Sequence, residues 1–306
     1  MTDAPETNPE NQPPPGGGAA RAVRLKIRWL LNLALVVLVV GLAWVAIHKP
    51  GQQKDVPEQP FTGIKTDTIT HIRIEQSDKN PIVLEMTGSQ WRLTAPVSAR
   101  ANHFNVESLL RIASAPSETR LPVGDNHGEF GLDKPQARLW LEKDELTFGT
   151  LHPLKNLIYV QYQNSVYLIP AQRFMAVSHP YVDFIDSRLL ENDRKLTAFR
   201  LPGFTLTLQN GVWQQKPHNK KLTTDQINDF VSEWQNASAL GVEKFSGKKE
   251  IGRIEIGTTR DGKSEKILLG ILAYKPDFIL HRQDEGLEYH FTEATGKRLL
   301  EISGAE

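Results

Sequence analysis

Apolar residues recur at helical spacing in two stretches of this chain that lie 121 positions apart. Val106, Leu109, Leu110 and Ala113 form an i, i+3, i+4, i+7 stripe, and Ile227, Phe230, Val231 and Trp234 repeat it 121 positions later. A stripe of this kind turns one helix face toward a core. The landmarks around each helix also come in the same order: an early Trp (Trp91, Trp213), a strand ending in Gly (Gly149, Gly270), then a Tyr strand (Tyr167, Tyr289). Solenoid units run to about 20–50 residues, so a repeat of this length reads as a duplicated domain.

Around the helices the pattern changes to period two. Ile69, Ile72 and Ile74 alternate with Arg73 and Glu75, and Ile82 to Met86, Gly88-Ser89 and Trp91 to Leu93 read as a hairpin. Asn102 or Asn105 suits the N-cap of the first helix, and Pro116 and Pro122 end it. Strands follow at 137–141, 146–148, 158–162 and 166–169, with short helices expected over 171–177 and 181–190. The second copy repeats the order: strands at 196–201 and 204–208, an Asn210-Gly211 hairpin turn, and a strand opened by Trp213. Thr223-Thr224-Asp225-Gln226 fits a capping box ahead of the second helix. Strands at 254–256, 266–269, 278–282 and 287–291 and a helix over 293–301 complete it. The expected fold class is α+β: two tandem homologous sheet-plus-helix modules, mixed or antiparallel, over 65–190 and 191–306, behind one N-terminal transmembrane helix.

That helix is expected because residues 29–47 read WLLNLALVVLVVGLAWVAI, nineteen positions without a charge. At 1.5 Å per residue they span roughly 28 Å, close to the ~30 Å hydrocarbon core of a bilayer. Trp29 and Trp44 stand near its ends, where indoles favour the membrane interface. A cleaved signal peptide fits less well, because its apolar region runs to about 7–15 residues and ends in an A-x-A-like site. The expected layout is a disordered cytoplasmic tail at 1–24, a transmembrane anchor at 25–48 and a linker at 49–64. Arg21, Arg24, Lys26 and Arg28 precede the apolar run, which places the N-terminus in the cytoplasm of a bacterium and the modules in the periplasm. The lipid bilayer is then a partner through 29–47.

Composition narrows the function further. The formal net charge is zero, with 36 basic and 36 acidic residues, so no large basic field exists to hold nucleic acid. The absence of cysteine excludes disulfides, thiol catalysis and cysteine-ligated zinc.

The run I-x-x-I-x-I at 69–74 comes first, followed by Gly88, Trp91, Leu93, Pro96 and Ala101 in G-x-x-W-x-L-x-x-P-x-x-x-x-A spacing. A helix, Phe130–Pro135 (FGLDKP), Leu146–Gly149 (LTFG), Tyr159, Tyr167 and Asp183–Leu190 (DFIDSRLL) then succeed one another. This order resembles an uncharacterised bacterial envelope family, domain of unknown function 4340, over roughly 65–300. The resemblance implies an anchor of one N-terminal helix and, for some members, association with ABC-type export or gliding-motility-type systems. The second copy has no counterpart of Gly-Leu-Asp-x-Pro.

Two groups of residues stand out as candidate sites. Gly131, Leu132, Asp133 and Pro135 form a turn in which Gly supplies a permissive backbone and Pro an extended lead into the next strand; a binding-loop role is the functional reading. Asp183 and Asp186, i and i+3 on an expected helix with Arg188 nearby, have the makings of a polar site for acid–base work or cation binding. The nine histidines show no metal-ligand spacing, and G-x-S-x-G and G-x-G-x-x-G are missing, so no catalytic residue, metal or cofactor is expected. Trp91 and Trp213 read as core anchors.

The expected function is a non-enzymatic, single-pass inner-membrane protein that binds or scaffolds within an envelope or ABC-type transport complex. Its partner is expected to be another inner-membrane or envelope protein. The alternatives are a carboxylate-dependent envelope hydrolase using Asp133, Asp183 or Asp186, and a periplasmic lipid or ligand carrier. Any specific site is expected where the repeat breaks.

Overall fold

The computed structural model describes residues 29, 32–44, 60–117, 119–124, 127–217 and 222–302. The chain divides into two compact units, Met1–Pro57 and Glu58–Glu306. In the first, residues 32–44 form a helix (α1) whose large apolar side chains are exposed. Among the described residues no helix is long and apolar enough to cross a membrane. The expected span at 29–47 includes positions 30, 31 and 45–47, and these lie outside the described residues, as do the expected tail at 1–24 and the linker up to 59.

The second unit is α+β, with two sheets whose paired strands are all antiparallel, so no mixed sheet forms. The first sheet is built from β1 (His71–Gln76), β2 (Ile82–Thr87), β3 (Gln90–Ala95), β4 (Ala99–Arg100), β5 (Arg120–Pro122), β6 (Ala137–Leu141), β7 (Asp144–Leu151), β8 (Leu157–Tyr162) and β9 (Ser165–Pro170). Helix α2 (His103–Ala113) falls between β4 and β5, and α3 (Gln172–Ser178) follows β9. The second sheet has β10 (Lys195–Arg200), β11 (Thr205–Gln209), β12 (Val212–Lys216), β13 (Gly241–Lys244), β14 (Gly252–Arg260), β15 (Lys263–Ala273), β16 (Asp277–Arg282) and β17 (Leu287–Thr292). Helix α4 (Thr224–Gln235) precedes β13, and α5 (Glu293–Leu300) closes the series.

The strand orders are β4-β3-β2-β1-β6-β7-β8-β9-β5 and β12-β11-β10-β14-β15-β16-β17-β13. Removing β4 makes them the same topology, with β1–β3 matching β10–β12, β6–β9 matching β14–β17 and β5 matching β13. The segment that leads into each sheet is matched too. Phe61 N–H donates to Ala115 O at 3.1 Å, and Leu189 N–H donates to Ala237 O at 2.8 Å. Isolated bridges join Pro60 to Pro116 and Arg188 to Ser238.

Local chemistry accounts for most element ends. The Asn102 side chain caps α2 by accepting from Asn105 N–H at 3.3 Å. The capping box of α4 is complete: Thr223 Oγ1 accepts from Gln226 N–H at 3.2 Å, and Gln226 Oε1 accepts from Thr223 N–H at 2.8 Å. Asn210 and Gly211 take φ of 52° and 80°, the twist that a two-residue hairpin needs. The helix stripes face inward, with Val106, Leu109, Ile112, Ala113, Ile227, Phe230 and Trp234 all buried. One continuous apolar cluster runs through both sheets. Trp91 belongs to it fully, whereas Trp213 is half-buried and packs on it from the side, 5.7 Å from the Phe199 ring.

The segment expected to be helical over 181–190 departs from that reading. Only Tyr181–Phe184 turns, as a 3-10 helix, and Ile185 is already extended at φ −88° and ψ 136°. The backbone bonds available beyond it are to other strands: Ile185 bridges Ala101, and Asp186 N–H donates to Arg100 O at 2.8 Å. Long-range pairing of this kind overrides a local helical pattern.

Thr223→Ala removes one half of the capping box and should cost about 1 kcal/mol in chemical denaturation, with α4 otherwise intact.

Candidate functional site

The Gly131 turn caps one end of the first sheet. Phe130 O accepts from Thr150 N–H at 2.8 Å, and the Phe130 ring lies 4.8 Å from that of Tyr159. This backbone-to-backbone approach leaves no room for side chains. A Cβ on Gly149 would meet Phe130 O at 2.0 Å, and one on Gly131, where φ is +69°, would meet Thr150 Cγ2 at 2.4 Å. Leu132 is buried beneath the turn, while Asp133 is exposed and its carboxylate makes no hydrogen bond among the described residues. Pro135 O accepts from the Ser77 hydroxyl at 3.2 Å, which ties the turn to the end of β1. The glycines and Leu132 are thus explained by packing.

Asp183 and Asp186 separate. Asp183 accepts from His179 at 2.7 Å on a half-exposed surface, and its backbone O accepts from the Asn105 side chain at 2.7 Å. A His–Asp pair orients an imidazole as a base, but no hydroxyl is hydrogen-bonded to His179 among the described residues. Asp186, beyond the turn, joins a different group of side chains at the junction of the two sheets.

That junction gathers buried charge from both sheets. Arg100, from the unmatched strand β4, donates through Nη1 to Asp186 Oδ2 at 3.0 Å and through Nε to Glu285 Oε1 at 2.7 Å. Its Nη2 reaches Arg188 O and the Tyr289 hydroxyl, and that hydroxyl in turn donates to Glu285. Arg188 holds Asp186 from the other side, through Nε at 3.2 Å and Nη2 at 3.3 Å. Deeper in, Arg282 is 1% exposed; it donates to Leu189 O at 2.7 Å and to both oxygens of Glu191 at 3.1 Å, with Glu285 at 3.3 Å. Arg194 donates to Glu191 at 2.7 Å and also pairs with Glu265.

The first sheet shows what these positions look like without charge. Tyr162 ends β8 as Arg282 ends β16, and Tyr167 stands opposite Val160 as Tyr289 stands opposite Leu280. In the first copy Tyr162 and Tyr167 close on Phe61, at ring distances of 6.3 and 5.3 Å. In the second copy the leading residue is Leu189, the ring opposite it is replaced by Arg282, and the β16–β17 turn lengthens to hold Asp284 and Glu285. An aromatic seal has become an ion network where β4 of the first copy meets the second.

Electrostatics follow from burial and partners. Burial alone would raise the Glu191 carboxyl, but hydrogen bonds from Arg194 and the charge and hydrogen bonds of Arg282 overcome it and lower it to about 2. Burial disfavours the charge on Arg282 as well, yet Glu285, Asp284 and Glu191 hold it firmly protonated. Burial and then the adjacent Glu285 charge push the Tyr289 hydroxyl up, so it stays a donor at any ordinary pH. These shifts keep Glu191 and Arg282 charged and Tyr289 neutral near neutrality. The network's chemistry is to fix geometry.

Of the residues singled out by sequence, Asp186 and Arg188 lie in this network; Asp183 and the Gly131 turn lie elsewhere. Arg100, Glu191, Arg194, Arg282, Glu285 and Tyr289 were missed. One signal was present: Arg282 ends a strand, Phe278–Arg282, that is otherwise apolar except for His281. Among the described residues no group of three or more His, Asp or Glu is arranged to hold a metal ion.

Comparison with protein families matches residues 91–253 to one described as a domain of unknown function (DUF4340). The chain belongs to this family. The DUF4340 match begins at Trp91 in β3 and ends within β14, so it takes in Arg100, Asp186, Arg188, Glu191 and Arg194 of the junction and stops before Arg282, Glu285 and Tyr289. No curated protein and no solved structure matches the chain.

Arg282→Leu removes the buried cation shared by Glu191 and Glu285, leaving Glu191 to Arg194 and Glu285 to Arg100, and should destabilise by about 3 kcal/mol in chemical denaturation. Because Glu191 is lowered in the folded state from 4.5 to about 2, its contribution is present above pH 4.5 and is lost as pH falls toward 2. That contribution is at most about 3 kcal/mol. Glu191→Gln should therefore be less stable than wild type at pH 7, and chemical denaturation should show the gap narrowing steadily below pH 4.5.

Proposed function

We propose that this chain is a membrane-anchored binding scaffold of the bacterial envelope, with its paired α+β modules on the periplasmic side. The observation that carries the reading is the uncharged run of nineteen residues at 29–47, preceded by four basic residues, in a chain whose buried Arg–carboxylate cluster has each of its carboxylates held. Saturated Arg–carboxylate pairs favour a rigid body over a reaction centre, since every acceptor is already held.

The surfaces available for partners are grooves between the helices. One, of about 580 Å³, lies between α2 and α3 and is lined by Phe104, Arg111, Pro116, Arg173 and Met175. Its counterpart between α4 and α5, of about 610 Å³, is lined by Asp229, Glu233, Glu301 and Arg298. Phe104 and Met175 are exposed by 68% and 63%, and large apolar residues kept in water at a groove favour a protein partner. A second reading, hydrolysis, draws on the His179–Asp183 pair at the edge of the first groove.

A periplasm-dependent reporter enzyme fused after residue 306 should be active; activity only as a cytoplasmic fusion overturns the topology. Crosslinking from position 104 in native membranes should capture an envelope membrane protein, and Asp183→Asn should leave that capture and the cellular function unchanged. Loss of function in folded Asp183→Asn, with capture retained, would favour the hydrolase.

A further inference from the structure

Beside the ion network lies a cavity of about 360 Å³, bounded by the β2–β3 hairpin, the start of α2 and the segment that joins the two sheets. Its carboxylates are all engaged: Asp186 by Arg100 and Arg188, Glu191 by Arg194 and Arg282, and Asp193 by Arg260 at 2.8 Å. Of its three arginines, Arg100 is engaged, whereas Arg92 and one edge of Arg188 are not. Arg92 is half-buried, lines the cavity and has no hydrogen-bond or ion-pair partner among the described residues. It stands between Arg100 in the β3–β4 register and Glu85 in the β2–β3 register, and among the described residues it forms no direct ion pair with an acid on its own sheet or on the cavity wall. Arg188 turns Nε and Nη2 to Asp186 and keeps Nη1 free. Ser89, Gln90 and Asn192, also on the wall, carry side chains with no partner among the described residues.

We propose that this cavity binds a small hydroxylated carboxylate, of the sugar-acid class, with its carboxylate on Arg92 and the free edge of Arg188. Guanidinium groups recognise carboxylates through paired, charge-assisted hydrogen bonds. The ligand's carboxylate gives Arg92 the direct ion-pair partner that Glu85, its neighbour across the strand, does not supply. A single negative charge suits the site better than two, because Asp186, Glu191 and Asp193 stand on the same wall and oppose a dianion. Ser89, Gln90 and Asn192 each donate and accept, which matches hydroxyl groups. The volume fits one small polar molecule. Arg100, Asp186 and Glu191 hold the wall in place; Arg92 is free of that duty, so its removal tests binding without breaking the junction.

The test uses the full-length chain purified in detergent and titration calorimetry at low salt, with glucuronate, glucose and inorganic phosphate as probes. Glucuronate should bind at least tenfold more tightly than glucose and no more weakly than phosphate. Arg92→Gln should weaken glucuronate at least tenfold at an unchanged thermal midpoint, and Arg92→Lys should recover part of the loss. Arg188→Gln gives a second readout, with weaker glucuronate binding expected. Absent glucuronate binding, equal binding of glucose, tighter binding of phosphate, or an unaffected Arg92→Gln each overturns the assignment. Binding is read on isolated protein, so the result stands apart from the topology and partner assays above.

Discussion

A guanidinium taken almost completely out of water organises the centre of this molecule. Arg282, 1% exposed, sits at the end of a strand whose neighbours are apolar, and no such charge survives there unless every direction is answered. Glu191, Glu285, Asp284 and the Leu189 carbonyl answer it, and each comes from a different part of the chain than the sheet core. Once Glu191 and Glu285 are fixed in this way they in turn fix Arg194 and Arg100. The segment between the sheets, the unmatched strand β4 and the β16–β17 turn are therefore positioned by one desolvated charge.

The same network explains how a duplicated fold became an asymmetric one. The two sheets share strand order, helix placement and even the hydrogen bond that seats the leading segment. They differ at that seat: the first is sealed by Phe61 against Tyr162 and Tyr167, the second by Arg282 and Tyr289. The aromatic version needs nothing from elsewhere. The charged version needs acids, and it accepts Arg100 from the other copy through Glu285 and Tyr289. Replacing a self-sufficient seal by one that recruits its neighbour turns two similar lobes into one cooperative unit.

Sequence pattern made the local features readable. The helix stripes, the Thr223 capping box and the Asn210-Gly211 turn depend on residues within about one or two turns of each other, and local chemistry decides them. The network was not readable in this way. Arg100 and Tyr289 are 189 positions apart, and nothing near Arg100 in sequence distinguishes it from a surface residue. Strand β4 is two residues long and exists only because it pairs with β3, so no periodicity marks it. Asp183 and Asp186 show the converse error: an i, i+3 spacing implies a shared helix face, but the helix stops at Phe184 because the backbone pairs with Ala101. The Gly131 turn was visible as a motif, and its meaning, a backbone-to-backbone contact with Gly149 and Thr150, became plain only from the fold.

The paired grooves carry this divergence to the surface. Both arise from the same architectural fact, a long helix packed beside a short one after equivalent strands, so their existence follows from the duplication and implies nothing about ligands. Their chemistry is a different matter, because groove residues are free of the packing constraints that keep Val106 and Ile227 alike. Phe104, Arg173 and Met175 line one, whereas Asp229, Glu233 and Glu301 line the other. Phe104 and Met175 put apolar area into water on the first groove, the kind of surface that a protein partner covers. The first copy's groove is therefore the stronger argument for a partner. The second, with its saturated junction, is the stronger argument for rigidity.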